Sequence, residues 1–145
     1  MFGKYKKNPT MHKFIFALAV FAAMTASLNA AAQNQSSELP DPLELAGKMA
    51  DQLERDLDLD AAQVFKVDTL FQHIYQGYYA DVEKLSKAGI PATSSQYLRV
   101  SDKWGDYSDK VLETILTEEQ WARYLKSNAG KNKKVRDKRM ANDKY

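Results

Sequence analysis

One local signal, used four times, limits what this chain can fold into: a short polar residue followed three positions later by Glu or Gln. It occurs at Asp41-Pro42-Leu43-Glu44, Asp60-Ala61-Ala62-Gln63, Thr93-Ser94-Ser95-Gln96 and Thr117-Glu118-Glu119-Gln120. In such a capping box the first side chain accepts a bond from an otherwise unpaired N–H of the first helical turn. The last side chain reaches back to the N–H of the capping residue. Each box precedes apolar residues spaced three or four apart. Val64, Val67, Phe71, Ile74, Tyr78, Val82 and Leu85 form one long stripe. Tyr97, Val100, Trp104, Tyr107, Val111 and Ile115 form a second, and Leu43, Leu45, Met49 and Leu53 a shorter one. No segment alternates with period two for long enough to read as a strand. The patterns predict an all-α fold of four helices over 42–56, 61–87, 94–115 and 118–138. Gly89-Ile90-Pro91 stops the second helix, so the second and third are expected to form a long antiparallel central hairpin.

The beginning of the chain reads differently. Lys13 opens the apolar run Phe14–Met24, and the small residues Ala30, Ala31 and Ala32 follow. A charged start, an apolar centre and an Ala-x-Ala exit read as a secretory signal peptide over 1–32, with Met11 as an alternative natural start. An uncleaved anchor is the other reading of the same run. Residues 33–40 read as a disordered leader. Beyond residue 32 the chain has 17 basic and 19 acidic residues, and Leu, Ile, Val and Met make up 23 of its 113 positions. That supports one small domain, 41–138, with a thin core that a partner surface helps to complete. With no cysteine in the chain, disulfides, thiol chemistry and a lipid-anchored lipoprotein are all excluded. The expected product is therefore a soluble exported protein, or a membrane-tethered one if cleavage fails.

The strings Leu59-Asp60-x-x-Gln63 and Leu116-Thr117-x-x-Gln120 share one grammar 57 residues apart. In both, a hydrophobic staple flanks the cap, with Leu59 opposite Val64 and Leu116 opposite Trp121. Two Leu-Thr-x-x-Gln elements in a small, helical, cysteine-free exported chain resemble the Spy/CpxP proteins of the bacterial periplasm. The second motif matches in full; the first carries Asp60 in place of Thr, and Asp caps a helix equally well. The resemblance covers about 41–138. It implies a thin, curved protomer that pairs into a homodimer, and an ATP-independent, holdase-type chaperone for unfolded or envelope proteins. A signalling adaptor docking on an envelope-stress sensor kinase is the alternative it implies. An envelope structural component without client is a third reading.

Eight of the eleven aromatics beyond residue 32 fall in the two central helices, more than one buried stripe needs. Tyr75, Tyr78, Tyr79, Trp104 and Tyr107 are the candidate client-binding residues, because a tyrosine or tryptophan face stays wettable while offering apolar area. Tyr75 and Tyr79 lie off the main stripe and are expected to be exposed; core packing or a dimer seam is the competing role for every ring. Gly77 and Gly105 stand fourteen residues either side of Pro91, so a close approach or shared bend of the two helices is expected there. Two merely tolerated glycines, each costing about 1 kcal/mol relative to alanine, are the alternative.

Residues 126–145 hold eight basic and two acidic residues, and their end, 139–145, is expected to be a frayed basic tail. The basic tail over 131–139 could contact acidic partner surfaces, anionic lipid headgroups or the acidic body of the same or a paired chain, or stay solvated. Nucleic acid is not an expected partner of an exported chain. Catalysis lacks parts. His73 is the one histidine beyond residue 32, and the alternating Asp56, Asp58 and Asp60 lack the glycine and glutamate of a calcium loop. No enzyme activity, metal or cofactor is expected.

Overall fold

The computed structural model describes residues 40–143, and within them the chain is all-helical. The expected signal peptide, the alternative start at Met11 and residues 33–39 of the expected leader lie outside the described residues. Helix α1 (Pro42–Leu57) begins where Asp41 accepts from the Leu43 N–H at 2.9 Å with Pro42 as first helical residue. It ends at Asp58, whose φ of 54° turns the chain into the left-handed region. Helix α2 (Ala61–Lys87) starts at the expected box, with Asp60 and Gln63 bonded reciprocally, and stops at Ala88 before Gly89, whose φ is +73°. Helix α3 (Ser95–Ile115) starts one residue later than expected. Ser94 rather than Thr93 is its cap, because the Ser94 N–H is held by the Pro91 carbonyl in a tight turn.

The expected fourth helix is two. Helix α4 (Glu118–Lys126) opens with the full Thr117/Gln120 box, and helix α5 (Asn128–Ala141) follows after Ser127 alone. Ser127 has extended backbone and its hydroxyl accepts from the N–H groups of Ala129 and Gly130. It thereby starts a new helix where periodicity alone would continue the old one. The four-helix expectation is therefore corrected to five helices among the described residues. Helix α5 runs on to Ala141, with Arg139 bonded to α3.

Ala46, Met49, Ala50, Leu53 and Leu57 of α1 are buried against Val67, Leu70, Phe71, Ile74 and Tyr75 of α2. Leu59, Leu112, Leu116 and Tyr124 close the same cluster at the helix corners. Each Val, Leu, Ile, Phe or Met among them removed from water contributes about 1.5–3 kcal/mol. The other face of α2 packs on α3, and α5 packs on α3 and α4. No helix among the described residues is long and apolar enough to cross a membrane.

Candidate functional site

The two motif corners meet. Gln63 and Gln120 each accept, on the side-chain oxygen, from the N–H of the capping residue of their own helix, Asp60 at 3.1 Å and Thr117 at 3.0 Å. Their amide nitrogens turn outward, toward each other: Gln63 Nε2 donates to Gln120 Oε1 at 2.7 Å, and Gln120 Nε2 to Gln63 Oε1 at 3.1 Å. Gln63 also donates to the Ile115 carbonyl, and Gln120 to the Leu57 carbonyl. Each glutamine thus caps one helix and ties down the end of the helix before the other motif. Leu59 and Leu116 are buried beneath, while Asp60 and Thr117 stay exposed. Arg123 adds a clamp from α4, donating to the Asp58 carboxylate at 2.8 Å and to the Asp56 carbonyl at 2.6 Å. The motif is a structural knot, and its reactive groups are consumed by its own bonds.

A second assembly lies where α2 faces α3. The His73 ring stands edge-on to Trp104 and Tyr107, at centroid distances of 5.6 and 5.7 Å, and those two rings meet at 5.9 Å. Gly77 makes this possible: a Cβ there would collide with the Trp104 indole. The indole is fixed at its polar edge by Asp81, which accepts from Trp104 Nε1 at 3.0 Å and from Lys103 at 2.8 Å. Those bonds, with Lys103 first, hold the Asp81 carboxyl below its usual range against the opposing effect of burial. Lys103 also lies over the indole at 4.9 Å. Tyr107 is 41 % exposed and Trp104 half-buried, with half-buried Val100 and Val111 on the same side of α3. The result is a partly wet aromatic and aliphatic stripe.

The tyrosines of α2 divide differently than expected. Tyr75 is only 7 % exposed and Tyr78 only 2 %, and burial pushes both hydroxyls up to about 12. The exposure expected of Tyr75 is therefore wrong, while Tyr78, a member of the long apolar stripe, is buried with that stripe. Because α2 packs on α1 and α3 at once, its buried face is wider than one heptad-like seam, and Phe71, Ile74, Tyr75 and Tyr78 all fall within it. Tyr79 is half-buried and donates to the Pro40 carbonyl at 3.0 Å; burial, then nearby Asp41, raises its pKa. The exposed aromatic of α2 is Phe65, at 73 %. Of the five candidate rings, Trp104 and Tyr107 share one accessible patch. Sequence reasoning missed His73 as their neighbour, and its position beside Gln72 on a helix otherwise judged by apolar residues gave little signal.

The two glycines admit different side chains. Gly77 receives Trp104, and Gly105 receives the Arg136 guanidinium from α5. Around Gly105 lies a buried polar seam: Ser101, Asp102, Ser108 and Asp109 on α3 are all buried. Arg139 grips Asp102 with two bonds, at 2.8 and 2.7 Å. Asp109 accepts from Arg136 and, at 2.7 Å, from the Tyr124 hydroxyl of α4. Burial lowers the Arg136 pKa, Asp137 opposing, and its Nε has no hydrogen-bond partner among the described residues. Of the fates open to the basic tail, contact with the acidic body is the one its arginines take. Asp102 and Asp109 seven apart, matched to Arg136 and Arg139 three apart, were visible as a charge pattern but not as a buried one.

No protein-family model, no curated protein and no solved structure matches this chain.

Proposed function

We propose that this protein is a periplasmic, ATP-independent, holdase-type chaperone-like protein that binds unfolded or envelope proteins without chemistry. The reading takes α2 and α3 as an antiparallel hairpin whose stripe of His73, Trp104, Tyr107, Val100 and Val111 meets the client. The observation that carries it is the half-exposed aromatic cluster between α2 and α3. Aromatic side chains offer large apolar area with a polar tip, so such a patch tolerates water until a nonpolar segment covers it. The reading includes export by a cleaved signal peptide, a curved protomer and a homodimer, as the Spy/CpxP resemblance implies. Tyr75 and Tyr78 have no part in the client surface.

The test is aggregation of a reduced, light-scattering client with the protein at equimolar amounts. Wild type suppresses scattering and Tyr107→Ser suppresses it less, at unchanged helicity. Scattering unaffected by wild type removes the chaperone reading.

The second reading, a signalling adaptor on an envelope-stress sensor kinase, gains from the fixed indole of Trp104. A ring pinned by Asp81 and packed on Gly77 is preorganised for one defined partner rather than many. Capture of a single membrane partner in fixed stoichiometry, lost with Tyr107→Ser, favours it; a mixture of unfolded clients favours the chaperone.

A further inference from the structure

The joint between α4 and α5 is one residue, Ser127, and three observations describe it. Its backbone is extended, with φ −74° and ψ 176°, while residues on both sides are helical. The bend depends on Gly130, where a Cβ would collide with the Leu125 carbonyl of the preceding helix. Beside the bend lies an open cleft of about 350 Å³, lined by apolar Met49, Leu53 and Phe71 and by polar Gln52, Asp56 and Asn128. Close packing holds elements in place, and here it is missing beside the turn.

Against this underpacked bend stands a specific attachment further along. Arg136 and Arg139 of α5 fill a groove of α3 bounded by Asp109 and Asp102 and floored by Ser101, Gly105 and Ser108. Buried carboxylates without their arginines are strongly unfavourable, so an α5 that swings away must be replaced. The replacement that fits residue for residue is α5 of a second copy. The chain from Glu118 to Ala141 contains no proline and keeps helical spacing through Trp121, Leu125 and Ala129. Ser127 needs only to turn helical for α4 and α5 to become one rod.

We propose that this chain forms a dimer by exchanging α5: α4 and α5 straighten across Ser127, and each α5 docks its Arg136 and Arg139 on Asp109 and Asp102 of the other copy. The closed monomer and the exchanged dimer share the same α3–α5 contacts, and the joint alone separates them. Short hinges under constraint are where such exchange arises at low cost. This specifies how the homodimer of the preceding section would form, and it stands on the joint rather than on the aromatic stripe.

Two substitutions push the joint in opposite directions. Asn128→Pro puts proline at the first position of α5, after a residue that is already extended, and prevents α4 from running on. Gly130→Ala forbids the bend and suits a straight helix. In light scattering over a concentration series, the full chain dimerises; Asn128→Pro weakens dimerisation at least tenfold and Gly130→Ala strengthens it at least tenfold, at unchanged helicity. Should Gly130→Ala lose its helical signal, Asn128→Pro decides together with a mixing experiment. A chain carrying Asp102→Ala and Asp109→Ala is mixed with one carrying Arg136→Ala and Arg139→Ala; a mixed dimer, with neither chain dimerising alone, is the expected result. Dimerisation indifferent to Asn128→Pro, a helical Gly130→Ala chain that stays monomeric, or failure of the two charge-deleted chains to pair overturns the exchange. A wild-type dimer unmoved by both joint substitutions leaves the homodimer standing and removes only its mode. Loss of client protection with exchange intact does the reverse.

Discussion

The seam between α1 and α2 and the seam between α3 and α5 hold helices together by opposite means. In the first, Met49, Leu53 and Leu57 lie against Val67, Phe71 and Ile74, and the attraction is non-directional removal of apolar area from water. In the second, serines, a glycine and two buried aspartates receive two arginines, so attachment depends on directed bonds in fixed geometry. An apolar seam tolerates small shifts of register and loses stability in proportion to volume removed. A buried charged seam adds little net stability, because desolvation offsets attraction, yet it is unforgiving of losing one partner. Length follows the same division: α1 and α2 are continuous through their seam, while α5 needs a separate cap and a glycine to reach its own.

Breaking the charged seam from one side should have the largest effect. Asp109→Ala strands the Arg136 guanidinium and the Tyr124 hydroxyl together, and about 3–5 kcal/mol of stability should be lost in urea unfolding. Replacing Asp102 and Arg139 jointly by leucine and methionine should instead be near neutral. A loss as large as that of the single variant would mean the seam is held by more than its pairing. In the apolar seam, Ile74→Ala should cost about 2–5 kcal/mol, with the unfolding slope unchanged.

A second kind of test separates the seams by pH. Tyr75 and Tyr78 ionise at an ordinary 10.0 when unfolded and at about 12 when folded, so their neutral forms belong to the native state. Their contribution is complete below about pH 10 and disappears as pH climbs toward 12. The urea midpoint should fall across that window, and a Tyr75→Phe, Tyr78→Phe chain should show a shallower fall. At the corners, Thr117→Ala and Asp60→Ala should each cost about 1 kcal/mol. Least of all, Lys48→Ala should change stability by under about 0.5 kcal/mol, since its ion pair with Glu44 is solvent-exposed.

What could be read from the residues was local. The cap of α2 at Asp60 and of α4 at Thr117, the stop at Gly89 and the extents of α1 and α2 follow from bonds between neighbours, and those are written in the order of the chain. Burial of Tyr75 was not legible, because it depends on α2 having a neighbour on two sides. The break at Ser127 escaped for a related reason. Serine is acceptable inside a helix, and the bend it caps brings Arg136 and Arg139 onto α3's carboxylates, a contact no neighbouring residue announces. Gly77 and Gly105 were noticed as a pair, yet each serves a different incoming side chain, a choice made by packing and not by spacing.

By itself, the order of residues determined that this chain is helical, where most of its helices begin, and that its two glutamine motifs are corners. Capping and periodicity act within four residues, so no distant contact is needed to express them. Only the tertiary structure decided that the two glutamines bond to each other, that the aromatic patch belongs to His73, Trp104 and Tyr107, and that the basic end is sewn onto α3. Those outcomes depend on which groups lose water together, and that is settled when whole helices meet.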